Sequence, residues 1–163
     1  MLGCSRAALV AVAASMLAGA AFAAPPSPVF VAKAGASDLY ERQSSQIVRS
    51  STRDPRLRRF ANEMIRDHTK STQMVKSAAM RSGLHPRPPM LEPRQRAMLA
   101  DLRRAHGRNR DNVYLDQQRQ AHAEALGLMQ DYASTGSAAP LRHAAGNIVP
   151  VIQHHIDMLH GMR

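Results

Sequence analysis

Residues 55–82, PRLRRFANEMIRDHTKSTQMVKSAAMRS, carry apolar side chains at Leu57, Phe60, Ala61, Met64, Ile65, Val75 and Ala79. Spacings of three and four place these groups on one side of a helix and the charges on the other. The stripe is broken once, by His68, which stands four residues after Met64 where a core side chain belongs. A helix this one-sided must bury its stripe against other helices, so the rest of the chain has to supply partners.

It does. Over 29–51, Phe30, Ala34, Ser37, Glu41, Ser44 and Val48 recur on one face, with Glu41 in the middle. Thr52-Arg53-Asp54-Pro55 reads as a tight turn, in which Asp54 caps the next helix and Pro55 takes its first position. A connection this short makes the two helices antiparallel neighbours. The second helix ends at Gly83, and the prolines of HPRPPMLEPR forbid regular helix after it. A shorter helix over 93–105 carries Met98, Leu99 and Leu102, and His106-Gly107-Arg108-Asn109-Arg110 reads as a break.

Asp111 is placed to cap a third long helix running to residue 134, striped by Tyr114, Gln118, Ala121, His122, Ala125, Met129 and Tyr132. A fourth, from residue 139, buries Leu141, Ala145, Ile148, Ile152, His155 and Leu159, with Pro150 in its interior. No segment alternates as a strand would. The pattern predicts an all-α four-helix bundle over 29–163, with a short extra helix between helices 2 and 3.

Each long helix therefore carries one titratable residue on its core face: Glu41, His68, His122 and His155. Counted from the two tight turns at about 1.5 Å per residue, the four lie within a turn or two of one depth. This holds whether the two hairpins share an end or a crossover through 84–110 inverts the second. A carboxylate and imidazoles meeting inside a bundle form a ligand set for zinc, iron, manganese or copper. They equally form a buried cluster that satisfies its own hydrogen bonds, since unsatisfied polar burial is costly. Tyr40, Asp67, Tyr114 and Gln118 are the candidates for supporting contacts behind such ligands, with Gln43 at a similar depth. The di-iron motif Glu-x-x-His is missing: Glu41, Glu63, Glu92 and Glu124 are followed three places on by Ser44, Arg66, Gln95 and Gly127. That disfavours ferroxidase-type chemistry and leaves a mononuclear or atypical metal site.

The first 23 residues, with Arg6, an apolar run and the ending Ala21-Phe22-Ala23, have the form of a cleaved export signal, followed by a Pro-rich linker over 24–28. Cleavage after Ala23 or Ala24 removes Cys4, the single cysteine, and with it any thiol nucleophile or disulfide. The expected location is the periplasm or the outside of the cell. The formal charge of +10, nearly all from Arg, favours anionic envelope polymers over nucleic acid as a partner for an exported chain. Arg53, Arg56, Arg59 and Arg66 make one basic face, and a second Arg cluster runs through 94–110. His154, Met158 and Met162 form a stripe that reads as packing before it reads as a soft copper site. No Gly-x-Ser-x-Gly elbow and no glycine-rich phosphate loop is present, so an enzymatic role rests on the metal alone.

Taken together, ASDLYE (36–41), RRFANEMIRDHTK (58–70), YLDQQRQAHAEAL (114–126), DYASTG (131–136) and VPVIQHH (149–155) resemble the domain-of-unknown-function 4142 family of exported bacterial proteins. The resemblance implies a ferritin-like bundle and an envelope location, and no established activity. It places the family's recurrent positions on Glu41, Asp67, His68, Asp111, Tyr114, His122 and His155. Gln43 stands where many relatives have an acid and Arg110 where an aromatic is usual. On this reading the protein is a non-catalytic binding or stress-related envelope module with a buried Glu/His cluster able to hold a metal. The alternatives are a metal-dependent redox or storage protein and a basic adaptor for anionic polymers.

Overall fold

A computed structural model describes residues 24–162 as five helices: α1 Ser27–Ser51, α2 Pro55–Arg81, α3 Pro93–Arg104, α4 Gly107–Thr135 and α5 Ala139–His160. The export signal expected over 1–23 lies outside the described residues. Helix α1 starts two residues earlier than the sequence reading placed it, inside the expected linker, because Pro28 suits its first turn.

The two turns were legible. Asp54 accepts a hydrogen bond from the Arg56 amide at 2.7 Å, capping α2, and Gly83 ends that helix with φ +75°. The start of α4 was not legible. The expected break at 106–110 is the first turn of the helix, and Asp111 lies within it rather than at its cap. Arg110 accounts for the difference: its Nε donates to the Leu102 and Ala105 carbonyls (3.1 and 2.7 Å), closing the C-terminus of α3. Asp111 instead accepts the Thr52 hydroxyl at 2.9 Å, tying α4 to the α1–α2 turn. Helix α5 continues through Pro150, which has no amide to bond the Gly146 carbonyl one turn earlier.

Helices α1 and α2 form one hairpin and α4 and α5 the other, with α2 against α5 and α1 against α4. Ser27 at the start of α1 shares hydrogen bonds with Tyr132 (2.6 Å) and Ser137 (3.0 Å), at the far end of α4. The Thr52 turn meets the beginning of α4. The two hairpin turns are thus at opposite ends, and every neighbouring pair of long helices is antiparallel. Segment 84–106, including α3, is the crossover that inverts the second hairpin. It is held close at Gly35, where a Cβ would come within 3.2 Å of Pro89 Cγ.

The interior has three levels. At one end Phe30 stacks on Tyr132 (centroids 3.8 Å apart) within a cluster that includes Val75, Met129, Leu141 and Ile148. At the other, Val48, Leu57, Phe60, Met64, Leu102, Tyr114 and Leu159 pack together. Between them lies a polar layer of Asp38, Glu41, Ser44, Ser45, His68, Gln118, His122 and His155, all buried. Because α2 is fixed at both ends by local chemistry, Asp54→Ala and Gly83→Ala should each cost about 1 kcal/mol. Urea unfolding should show lower midpoints with unchanged slopes; unchanged midpoints would remove the caps from the account.

Candidate metal centre

The sequence placed a titratable residue on the core face of each long helix, and the structure brings all four together. Relative exposures are 1% for Glu41, 6% for His68, 1% for His122 and 0% for His155. The three imidazoles form a triangle with ring centroids 5.7, 5.6 and 5.4 Å apart. One nitrogen from each ring lies within 4.8 Å of one nitrogen from each of the others.

What each ring does with its outer nitrogen decides what the inner one can do. His122 Nδ1 donates to the Gln118 carbonyl at 2.9 Å, which leaves a lone pair on Nε2. His155 Nε2 donates to Asp67 Oδ2 at 3.1 Å, which leaves a lone pair on Nδ1. Those two bare nitrogens face each other at 3.3 Å. His68 Nδ1 donates to Asp38 Oδ1 at 2.8 Å, and its Nε2 is buried without a partner. The other Asp38 oxygen accepts the Thr72 hydroxyl at 3.0 Å. An acceptor behind each ring that fixes its tautomer is the supporting arrangement found behind metal-bound histidines.

The electrostatics agree with the geometry. Burial lowers the His122 ring to about 3, with His68 and His155 adding to the fall against the Gln118 carbonyl. Burial also lowers His155, as does His68, and Asp67 opposes both. Burial pulls His68 down too, yet its bond and charge contact with Asp38, helped by Glu41 and Asp67, outweigh burial and raise it. The cluster thus concentrates positive charge on one ring while two neutral rings aim lone pairs inward. A divalent cation at the centre would supply that charge in place of the His68 proton, balanced by the carboxylates of Asp38 and Asp67.

Glu41 sits beside the triangle rather than in it. Its Oε1 is 3.8 Å from His122 Nδ1, the nitrogen already committed to Gln118. Neither Glu41 oxygen has a hydrogen-bond partner. Burial pushes the carboxyl up to about 7, with His68 and the Gln118 side chain pulling down and Asp38 pushing up. Of the other sequence candidates, Asp67 supports a ring through its carboxylate, whereas Gln118 does so only through its backbone carbonyl and gives its side-chain amide to Ser44 at 3.3 Å. Tyr40 gives its hydroxyl to Gln117 (2.9 Å) and Tyr114 shares one with Ser45 (2.7 Å), so neither bonds to a ring of the triad. Gln43 is half-buried.

Asp38 was missed. The sequence reading put Ser37 on the core face of α1, but Ser37 is half-buried and Asp38 is 3% exposed. The available signal was its spacing: Asp38 lies four residues after Ala34 and three before Glu41, as good a helical match as Ser37.

These shifts give the metal-free protein a pH profile. Glu41 titrates near 4.5 when unfolded and about 7 when folded, so its contribution to stability is complete below 4.5 and is lost as pH rises through 7. His122 works oppositely: its contribution is complete above 6.5 and is lost as pH falls towards 3. With chelator present, Glu41→Gln should resemble the parent at pH 5 and exceed its stability at pH 8 by up to about 3 kcal/mol. Denaturant midpoints at the two pH values measure this, and an equal alkaline loss in both proteins would contradict it.

No curated protein and no solved structure matches this chain. A family model described as a domain of unknown function (DUF4142) matches residues 12–162. The chain belongs to that family.

Proposed function

We propose that the protein is a transition-metal-binding helical bundle of the cell envelope, in which His68, His122 and His155 hold one ion. The observation that carries this reading is the meeting of two bare imidazole nitrogens at 3.3 Å, beside a third that is buried and unpartnered. Facing lone pairs repel unless a proton or a metal ion lies between them. About 3.3 Å is also the nitrogen–nitrogen edge of a tetrahedral site with metal–nitrogen bonds of about 2.0–2.1 Å. An all-nitrogen set of this kind suits Zn²⁺ or Cu²⁺ ahead of Mg²⁺ or Ca²⁺. Glu41, buried and without a hydrogen-bond partner, lies behind His122 rather than among the three inner nitrogens, so the triad alone carries the proposal.

Binding, rather than turnover or bulk storage, is the role proposed. The rings are buried between two apolar clusters, and the surface clefts described are lined by other residues. One triad takes one ion, which is far from a store. The ferritin-like kinship is part of the same proposal; a single long crossover between two helical hairpins supports it. The envelope location rests on the signal-like residues 1–23, and the anionic partner on exposed Arg53, Arg56, Arg59 and Arg66. Among the described residues no helix is long and apolar enough to cross a membrane.

Elemental analysis of protein purified without an affinity tag tests the reading. One equivalent of a transition metal is expected, falling at least tenfold in His68→Ala and His122→Ala. Added ion at about a thousand times Kd should stabilise the parent by about 4 kcal/mol. Metal-free protein that loses only stability on these substitutions would leave a structural cluster in place of a metal centre.

A further inference from the structure

The buried triad is linked to the surface by a line of ligating side chains between α2 and α5. His155 points its outer nitrogen at Asp67, whose side chain is 31% exposed between α2 and α5. One turn earlier on α2 stands Glu63, and His154 Nε2 lies 3.2 Å from Glu63 Oε1, with the His154 side chain 60% exposed. Ligand atoms of Glu63, Asp67 and His155 fall within 4.8 Å of one another. A continuous file of donors therefore runs from open solvent to the completely buried His155 ring.

Orienting His155 needs only Asp67. It leaves Glu63 and His154 unexplained, and it does not explain the local charge. In this strongly basic chain, Asp54, Asp101, Asp116 and Glu124 each pair with an arginine. Glu63 and Asp67 pair only with histidines among the described residues. Two carboxylates four apart on one helix repel each other, a cost that a bound cation removes. They make an anionic spot on a helix that also carries exposed Arg59 and Arg66, and Asp67 links that spot to His155.

We propose that Glu63, Asp67 and His154 form a solvent-facing capture site for a hydrated divalent transition-metal ion, from which the buried triad is filled. The proposal rests on the metal reading of the triad. Carboxylate oxygens accept the ion while it still holds water, and His154 replaces a further water as a neutral nitrogen ligand. The ion then passes His155 and exchanges its remaining waters for imidazoles. Taking the ion into the core in steps avoids complete dehydration before any protein ligand is bound.

Co²⁺ is the probe, because its visible absorption reports entry into a nitrogen-rich tetrahedral site. Metal-free parent and the Glu63→Gln/His154→Gln double variant are mixed rapidly with Co²⁺ at low and high salt. The double variant should fill at least tenfold more slowly, with a weaker salt dependence, and reach the same final spectrum with one equivalent bound. Equal filling rates would overturn the capture site and leave the triad intact. No Co²⁺ signal in the parent, or one that survives in His122→Ala, would overturn the triad reading and the capture site with it. Both substituted positions reach solvent, so folding is not at issue, and circular dichroism of the double variant verifies that.

Discussion

A helical bundle that places a layer of ionisable side chains across its middle has to satisfy every one of them there, and the rest of this structure follows from how that is done. Apolar clusters close the layer from both ends, with Phe30 and Tyr132 in one and Leu57, Phe60 and Leu159 in the other. Water cannot serve as the general solvent for the polar groups, so each finds a protein partner or goes without. Asp38, Asp67 and the Gln118 carbonyl take the protons on the outer sides of the three rings. Nothing comparable stands on the inner sides. Each ring has its outer acceptor, while His68 Nε2 and both Glu41 oxygens have no partner, and a metal ion at the centre would engage the inner nitrogens.

That arrangement depends on the crossover. Four antiparallel neighbours put α2 and α5 side by side, which sets His68 against His155 and brings Asp67 behind it. The same inversion sets α1 against α4, with Glu41 beside His122. Segment 84–106 makes the passage in contact with both hairpins, with α3 against α1 and α4. Its prolines exclude helix until Glu92, and Gly35 lets Pro89 rest against α1. Arg110 then turns the chain by closing α3 and opening α4 in one contact set. Arg110 is therefore occupied with the fold.

Much of this was legible in the residues. His68, His122 and His155 could be found because each is polar in an otherwise apolar row, and a row on α2, α4 or α5 has one buried side. The turns could be read because Asp54 and Gly83 act locally. Helix α1 was harder. It is covered by α2, α3 and α4, so its buried arc is wide enough to hold Asp38 and Tyr40 as well as Glu41, and single-face spacing could not choose between Ser37 and Asp38. The relative direction of the hairpins was beyond periodicity, because both directions leave the four polar residues at one depth. Glu63 and His154 were invisible as a pair, since they lie on the solvent edge of separate helices and only the packing of α2 on α5 unites them.

The account turns on which nitrogen of each ring carries the proton before any metal arrives. Long-range proton–nitrogen NMR correlations of the metal-free protein report this directly. At neutral pH His122 should be protonated on Nδ1 alone and His155 on Nε2 alone, with the His122 ring not titrating between pH 5 and 8. Rapid exchange between tautomers in those rings, or a proton on the inner nitrogen of both, would show that the lone pairs do not converge, and the metal centre would fall with them.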